Sequence, residues 1–144
     1  MRALLLILVL VVAVFVGWAN AMVSSEGVRV IVNAKNPATK LSRQFVADAF
    51  LKKRTRWSNE SAIQPVDLGQ KHEVRAKFSR VVLGRDVGAV RRYWAQLVFS
   101  GRGVPPPEVA DEDAVVAYVA KNPGAVGYVS TSTTLTGVKA VAIE

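Results

Sequence analysis

The apolar residues follow two different spacings from residue 28 onward. Short runs rich in β-branched residues predict β-strands. Between these runs the apolar residues recur three and four positions apart, as they do on one face of an α-helix. The pattern predicts strands at residues 28–32, 63–67, 125–129 and 138–143, and helices at about 43–51, 73–83, 87–98 and 112–121.

Side chains that favour helix ends support these boundaries. Ser42, Asp86 and Asp111 each precede a helical pattern, where a short polar side chain can accept a hydrogen bond from the first turn. Gly84 follows the second helix at the position where glycine commonly ends one. Pro65 lies inside the second predicted strand, so this strand must be short or lie at a sheet edge. Strands that alternate with helices indicate an α/β domain in which helices cover a sheet.

The first 21 residues have the layout of a secretory signal peptide. Arg2 is followed by an unbroken apolar run at residues 4–16, and residues 19–21 read Ala-Asn-Ala, a small-x-small cleavage pattern. We therefore predict cleavage after Ala21, export to the periplasm, and a mature chain that begins at Met22. The alternative is an uncleaved membrane anchor, although the run is shorter than the roughly 20 residues that a spanning helix needs.

Composition narrows the range of partners. The chain without its leader has about 120 residues, which is enough for one domain. It has no Cys, so disulfides, thiol chemistry and a thiol-linked lipid anchor are excluded. The formal net charge of the full sequence, +8, favours an anionic partner. Because an exported protein rarely meets nucleic acid, we expect anionic headgroups, lipopolysaccharide or small oxyanions instead.

The sequence offers little for catalysis. It has one His, no Gly-x-Ser-x-Gly motif, and no group of His and carboxylates at metal-ligand spacing. Gly101-x-Gly103 is too short for a dinucleotide-binding motif and leads into prolines. Glu112 and Asp113 are adjacent carboxylates, but their place in the first turn of a helix explains them. We therefore expect no enzyme, no cofactor and no metal site.

One loop, at residues 69–72, has the layout of an anion-binding site. It joins a strand to the helix that begins near Glu73, so backbone N–H groups and a positive helix end would face a ligand. The alternative is an ordinary loop with solvated charges, and the Glu73 carboxylate would compete for the same N–H groups. The candidate ligand-binding residues are Gly69, Gln70, Lys71, His72 and Arg75.

Several segments, in their order and spacing, resemble one known family. They are residues 30–33 with Asn36-Pro37, residues 49–54 with Trp57, Pro65-Val66, residues 75–78 with Leu83-Gly84, Tyr93-Trp94, and residues 115–119 leading to 122–129. Together they are similar to the phosphate-binding, periplasmic substrate-binding proteins of ABC transporters. The resemblance extends from Val28 to about Ala142. Its most specific segment is residues 123–129, which read Pro-Gly-Ala-Val-Gly-Tyr-Val.

The resemblance implies a fold, a ligand and a partner. The implied fold is a single lobe of the type 2 periplasmic-binding-protein-like fold, with three α/β/α layers. The implied ligand is phosphate or another small oxyanion, and the implied partner is an ABC transporter permease or another envelope protein.

The chain departs from this family in two respects. Members that capture phosphate have two lobes, whereas this chain has the length of about one. They also carry Ser-Gly-Thr directly before the Arg-x-x-Phe segment. His72, Glu73 and Val74 occupy those positions here, while Arg75 is retained.

Two functions therefore stay open at the level of sequence. The first is an exported phosphate or oxyanion substrate-binding-like protein associated with ABC-type phosphate uptake. The alternative is a non-catalytic envelope interaction module that keeps the fold but has lost small-ligand binding. Its basic surface would then dock an envelope or transporter protein, or an anionic membrane surface. Loss of the Ser-Gly-Thr hydroxyls favours the alternative.

Overall fold

The computed structural model describes residues 27–144, and the signal-peptide prediction lies outside these residues. The strands and helices follow in the order β1 (Val28–Asn33), β2 (Lys40–Leu41), α1 (Arg43–Phe50), β3 (Gln64–Pro65), β4 (Asp67–Leu68), α2 (Glu73–Phe78), α3 (Val87–Phe99), β5 (Glu108–Val109), α4 (Glu112–Lys121), β6 (Ala125–Ser130) and β7 (Val138–Ile143). A π-helical segment, Ser79–Leu83, continues directly from α2. None of the helices in this part of the chain is long and apolar enough to cross a membrane.

Five of the strands form one mixed sheet in the order β2-β7-β1-β6-β3. The central strand, β1, pairs antiparallel with both β6 and β7, and β2 and β3 add parallel strands at the two edges. The remaining two strands, β4 and β5, form a separate parallel pair. This second pair brings residue 67 beside residue 108, and both residues belong to the charged cluster described below.

Helices cover both faces of the five-stranded sheet. On one face, the Tyr128 ring of β6 stacks on the Phe78 ring of α2 with centroids 3.8 Å apart, and Phe50 of α1 packs against both rings. On the other face, Gly127 allows α4 to approach closely, because a Cβ at this position would lie 2.7 Å from Val115 Cγ1. The predicted α/β fold with three α/β/α layers is confirmed.

The predicted helix starts are confirmed by their hydrogen bonds. Ser42 Oγ accepts from the backbone N–H of residue 45 at 3.0 Å. Asp86 Oδ1 and Asp111 Oδ1 accept in the same way from residues 89 and 114, at 2.7 and 2.8 Å. Gly84 ends the second helix with φ +64°, in the left-handed region that favours glycine.

Two predicted elements differ in detail. The single strand predicted at residues 63–67 is two short strands in different sheets, because the chain leaves β6 after residue 66 and then pairs with β5. The helix predicted at residues 73–83 is α-helical only as far as Phe78 and then π-helical. The two-residue strands β2 and β5 lie in segments without a strand pattern.

The apolar face predicted for α3 is only partly buried. Val90 and Trp94 are buried, and Arg91 and Arg92 face solvent. Val98, which the periodicity places on the same face, is instead 50% exposed. The end of α3 therefore presents apolar surface to solvent.

Candidate functional site

A buried cluster of charged residues lies between α2 and the β4–β5 pair. Arg75 Nη2 lies 3.4 Å from Asp67 Oδ2, and Arg75 Nη1 lies 2.7 Å from Glu108 Oε1. The same Nη1 group donates a hydrogen bond to the carbonyl of Leu68 at 2.5 Å. The Arg75 side chain is only 6% exposed. Its charge is therefore balanced by one buried carboxylate, Asp67, and by Glu108, whose side chain is 44% exposed.

Asp67 is held by further donors. Its carboxylate accepts hydrogen bonds from the Tyr128 hydroxyl and, at 3.0 Å, from the backbone N–H of Leu68. Burial raises the pKa of Asp67 above its ordinary value, although the charge of Arg75 and these hydrogen bonds act in the opposite direction. Burial, with the adjacent Asp67 charge, also raises the pKa of the Tyr128 hydroxyl. The cluster thus joins β4, β5, β6 and α2 into one polar network.

The predicted anion-binding loop, residues 69–72, begins directly after Leu68, whose carbonyl accepts the hydrogen bond from Arg75. The backbone N–H of His72 donates to the carbonyl of Gly69 at 2.9 Å, which closes a turn. His72 also begins α2, since its Nδ1 accepts from the backbone N–H of Val74 at 3.3 Å. Gln70 and Lys71 are exposed. A shallow depression is lined by Gly69, Gln70, Lys71, His72 and Ala110.

The structure therefore brings four of the five candidate residues together at this depression, and the fifth, Arg75, lines a neighbouring groove with Gln70. Arg75 does not line the depression at residues 69–72. It contacts Leu68, the residue that precedes the loop, and the two carboxylates. Glu73, whose carboxylate could compete with an anion for the backbone N–H groups, is exposed, and its Oε1 lies 3.5 Å from Lys77 Nζ. The Arg75 guanidinium is therefore held by the Leu68 carbonyl and two carboxylates rather than free.

A second polar cluster lies near His72 at the start of α4. Glu112 Oε2 accepts from the backbone N–H of Ser130 at 2.8 Å and from the Thr133 hydroxyl. The Ser130 hydroxyl lies 2.9 Å from the Thr133 hydroxyl. Burial acts to raise the pKa of Glu112, but hydrogen bonds from Thr133 and Ser130, with the charge of His72, outweigh burial and lower this pKa. The Glu112 carboxylate therefore links the loop between β6 and β7 to the start of α4.

Substituting Glu112 with Gln should weaken the dependence of stability on acid pH. Because the folded-state pKa of Glu112 lies below 4.5, its stabilising contribution is present above about pH 4.5 and is lost as the pH falls through the folded pKa. Urea unfolding between about pH 6 and pH 3 measures this slope. Asp113→Asn is the matched control, because it removes a carboxylate from the same helical turn. If the free energy of unfolding fell equally with decreasing pH in wild type and Glu112→Gln, the hydrogen bonds assigned to Glu112 would be contradicted.

Sequence reasoning missed the partners of Arg75. Asp67 ends an apolar run and Glu108 follows three prolines, so neither position suggests an ion pair. They meet only because β4 and β5 pair in register. Within residues 27–144 no group of three or more His, Cys, Asp or Glu side chains is placed to hold a metal ion.

The described domain is similar to solved structures of phosphate transport proteins. An ABC-type phosphate transport receptor from Vibrio cholerae matches with a TM-score of 0.63 and 21% identity, over 81% of this chain and 46% of that chain. A Clostridium perfringens protein assigned as a phosphate ABC transporter substrate-binding protein, with bound phosphate, matches with a TM-score of 0.65 and 21% identity, over 81% and 44%. PstS from Borrelia burgdorferi matches with a TM-score of 0.59 and 9% identity, over 82% and 47%.

The chain has the fold of phosphate ABC transporter substrate-binding proteins. The resemblance inferred from the sequence segments is thus confirmed for the fold. The chain spans less than half the length of each of these substrate-binding proteins. No protein-family model matches the chain, and no curated protein matches it.

Proposed function

We propose that this chain is an exported substrate-binding-like protein that binds phosphate or another small oxyanion and works with ABC-type phosphate uptake. The observation that carries the proposal is the fold, which the chain shares over 81% of its length with a phosphate transport receptor. A structure of similar fold contains bound phosphate. The partner would be a transporter permease or another envelope protein.

The loop at residues 69–72 is the proposed ligand contact. Lys71 supplies an exposed ammonium group, Gly69 lets the backbone approach a ligand, and His72 lies at the same depression. Gln70 adds an exposed amide. Arg75 would act indirectly, because it binds the Leu68 carbonyl and so fixes where the loop begins.

A comparison of binding free energies indicates that tight binding at this loop needs contacts from a second protein surface. Anion binding at a helix N-terminus contributes roughly 0.3–1 kcal/mol when exposed, whereas a dissociation constant of 1 µM corresponds to about 8 kcal/mol. The two carboxylates beside Arg75 also oppose an anion at this end of the domain. We therefore expect weak binding by the isolated chain and tighter binding when a second lobe, from a partner or another copy, closes over the loop.

Substituting Lys71 with Ala should abolish the phosphate-dependent shifts of residues 69–72. The expected wild-type result is saturable, phosphate-selective amide NMR shifts confined to this loop at low salt, with sulfate as the comparison anion. Lys35→Ala is the matched control, since Lys35 is exposed but lies on the turn after β1. Unchanged phosphate affinity in Lys71→Ala would refute the site. Flat wild-type spectra would refute small-oxyanion binding by this chain.

The alternative function is a non-catalytic interaction module of the cell envelope. Two observations favour it. The charge of Arg75 is neutralised by Asp67 and Glu108, and apolar side chains at the end of α3 are exposed. In this case the lobe would serve as a scaffold that docks another envelope component. Flat phosphate spectra together with surface binding through α3 would support this alternative over the first proposal.

A further inference from the structure

Three large apolar side chains are exposed at the end of α3 and in the loop that follows it. Phe99 is 96% exposed, Val104 is 62% exposed and Val98 is 50% exposed. We name this group the α3 tip. The loop that carries Val104 folds back onto α3, because Gly103 lies against Leu97 and Trp94. The three side chains therefore lie at the same end of α3.

Two arginines flank the α3 tip. Arg91 lines the same groove as Val98 and Phe99, and Arg102 is exposed in the turn that follows α3. Within residues 27–144, neither of these arginines takes part in an ion pair. The carboxylate of Glu108, which lines this groove, is bound to Arg75. The face thus has an apolar centre and a positive rim.

The size and charge of this face decide between its candidate occupants. A stable protein interface buries about 800 Å² per partner, whereas one Phe and two Val side chains supply on the order of 300 Å². A second copy would also bring its own arginines against the same rim, which is unfavourable. An anionic bilayer fits both features, because apolar side chains enter the headgroup boundary while arginines bind lipid phosphates.

We propose that the α3 tip binds the surface of an anionic lipid bilayer, with Phe99 inserted at the headgroup boundary and Arg91 and Arg102 on lipid phosphates. The groove beside the α3 tip also borders Gln70 of the loop at residues 69–72, but the proposed lipid contacts are made by other side chains. It holds the domain at a membrane with α3 facing the lipid.

The absence of Cys from the chain allows a site-specific test. A polarity-sensitive fluorophore is attached to Val104→Cys in the full chain, and vesicles of phosphatidylglycerol and phosphatidylcholine are added. We expect a blue shift that phosphatidylcholine alone does not produce. Phe99→Ala in this background should lower the apparent affinity roughly tenfold or more. Arg91→Gln and Arg102→Gln should each lower it about fivefold. All variants contain the same residues 1–26, so differences in their vesicle affinity are due to the substituted residues at the α3 tip.

The control label is placed at Asn59→Cys, an exposed position that lines a different groove. No shift at position 104 with anionic vesicles, or an equal shift at position 59, would overturn the proposal. Loss of binding in the presence of free phosphate at constant ionic strength would show that the arginines recognise the soluble ion instead, which also overturns it. Sedimentation that shows a dimer dissociated by Phe99→Ala, with no vesicle-dependent shift, would assign the face to a second copy.

Discussion

Substituting Arg75 with Met should lower the free energy of unfolding by about 3–5 kcal/mol. Met keeps most of the length and apolar contact of the side chain but removes its charge. Asp67, whose side chain is 10% exposed, would then be buried without a cation, and the Leu68 carbonyl would lose its donor. The effect is large because removal of one member of a buried ion pair leaves an uncompensated charge.

Urea unfolding at pH 7 measures this change. Lys77→Met is the matched control, since Lys77 forms an exposed i,i+4 pair with Glu73 on the same helix and should change stability by less than about 0.5 kcal/mol. Adding Asp67→Asn to Arg75→Met should recover part of the loss, because the buried charge is then removed. A change below about 1 kcal/mol in Arg75→Met would show that the cluster is solvated.

The same substitution separates two roles of Arg75. A guanidinium that contacted the ligand would be free to leave the cluster, and Arg75→Met would change ligand affinity more than stability. If Arg75 instead positions the loop by binding the Leu68 carbonyl, the substitution should change stability more than ligand affinity. The contacts of Arg75 predict the second outcome.

Much of the fold could be predicted because its signals are local. The strands β1, β6 and β7 are β-branched runs, and Ser42, Asp86 and Asp111 sit where helix caps are favoured. The family resemblance added the three-layer arrangement. These features depend on residues close together in sequence, so the sequence alone can reveal them.

The missed features depend on contacts between residues far apart in the chain. Residue 67 changes sheet because its backbone N–H donates to the carbonyl of Pro107, 40 positions later. No spacing in the region 63–67 indicates that partner. The same long-range pairing brings Glu108 to Arg75, so that this buried arginine is neutralised by two carboxylates.

The exposed end of α3 was missed for a related reason. Helical periodicity places Val98 with Val90 and Trp94 but does not show where the neighbouring elements stop. The domain ends before it covers residues 98 and 99, so Val98 lies in solvent although its spacing favours burial. Periodicity predicts which residues share a face, whereas burial depends on whether another element lies against that face.

Substituting Tyr128 with Ala should lower the free energy of unfolding by about 3–5 kcal/mol. The side chain is fully buried, and its ring stacks on Phe78 at 3.8 Å and contacts Phe50. Ala would leave a cavity between the sheet and two helices, and Asp67 would lose the hydroxyl that donates to it. Urea unfolding, with intrinsic fluorescence as the signal, measures the loss.

Tyr128→Phe separates the ring from the hydroxyl. It keeps the stacked ring and removes one donor to a buried carboxylate, so we expect a loss of about 1–3 kcal/mol. It should also alter the pH dependence in a defined direction. The pKa of Asp67 is raised above its ordinary value of 3.8, so stability falls as the pH rises through the interval between 3.8 and the folded pKa. Because the Tyr128 hydroxyl lowers this pKa, its removal should extend that fall to higher pH. If Tyr128→Phe and wild type gave parallel pH profiles, the hydroxyl would not control the Asp67 carboxylate, and the loss in Tyr128→Ala would be due to packing alone.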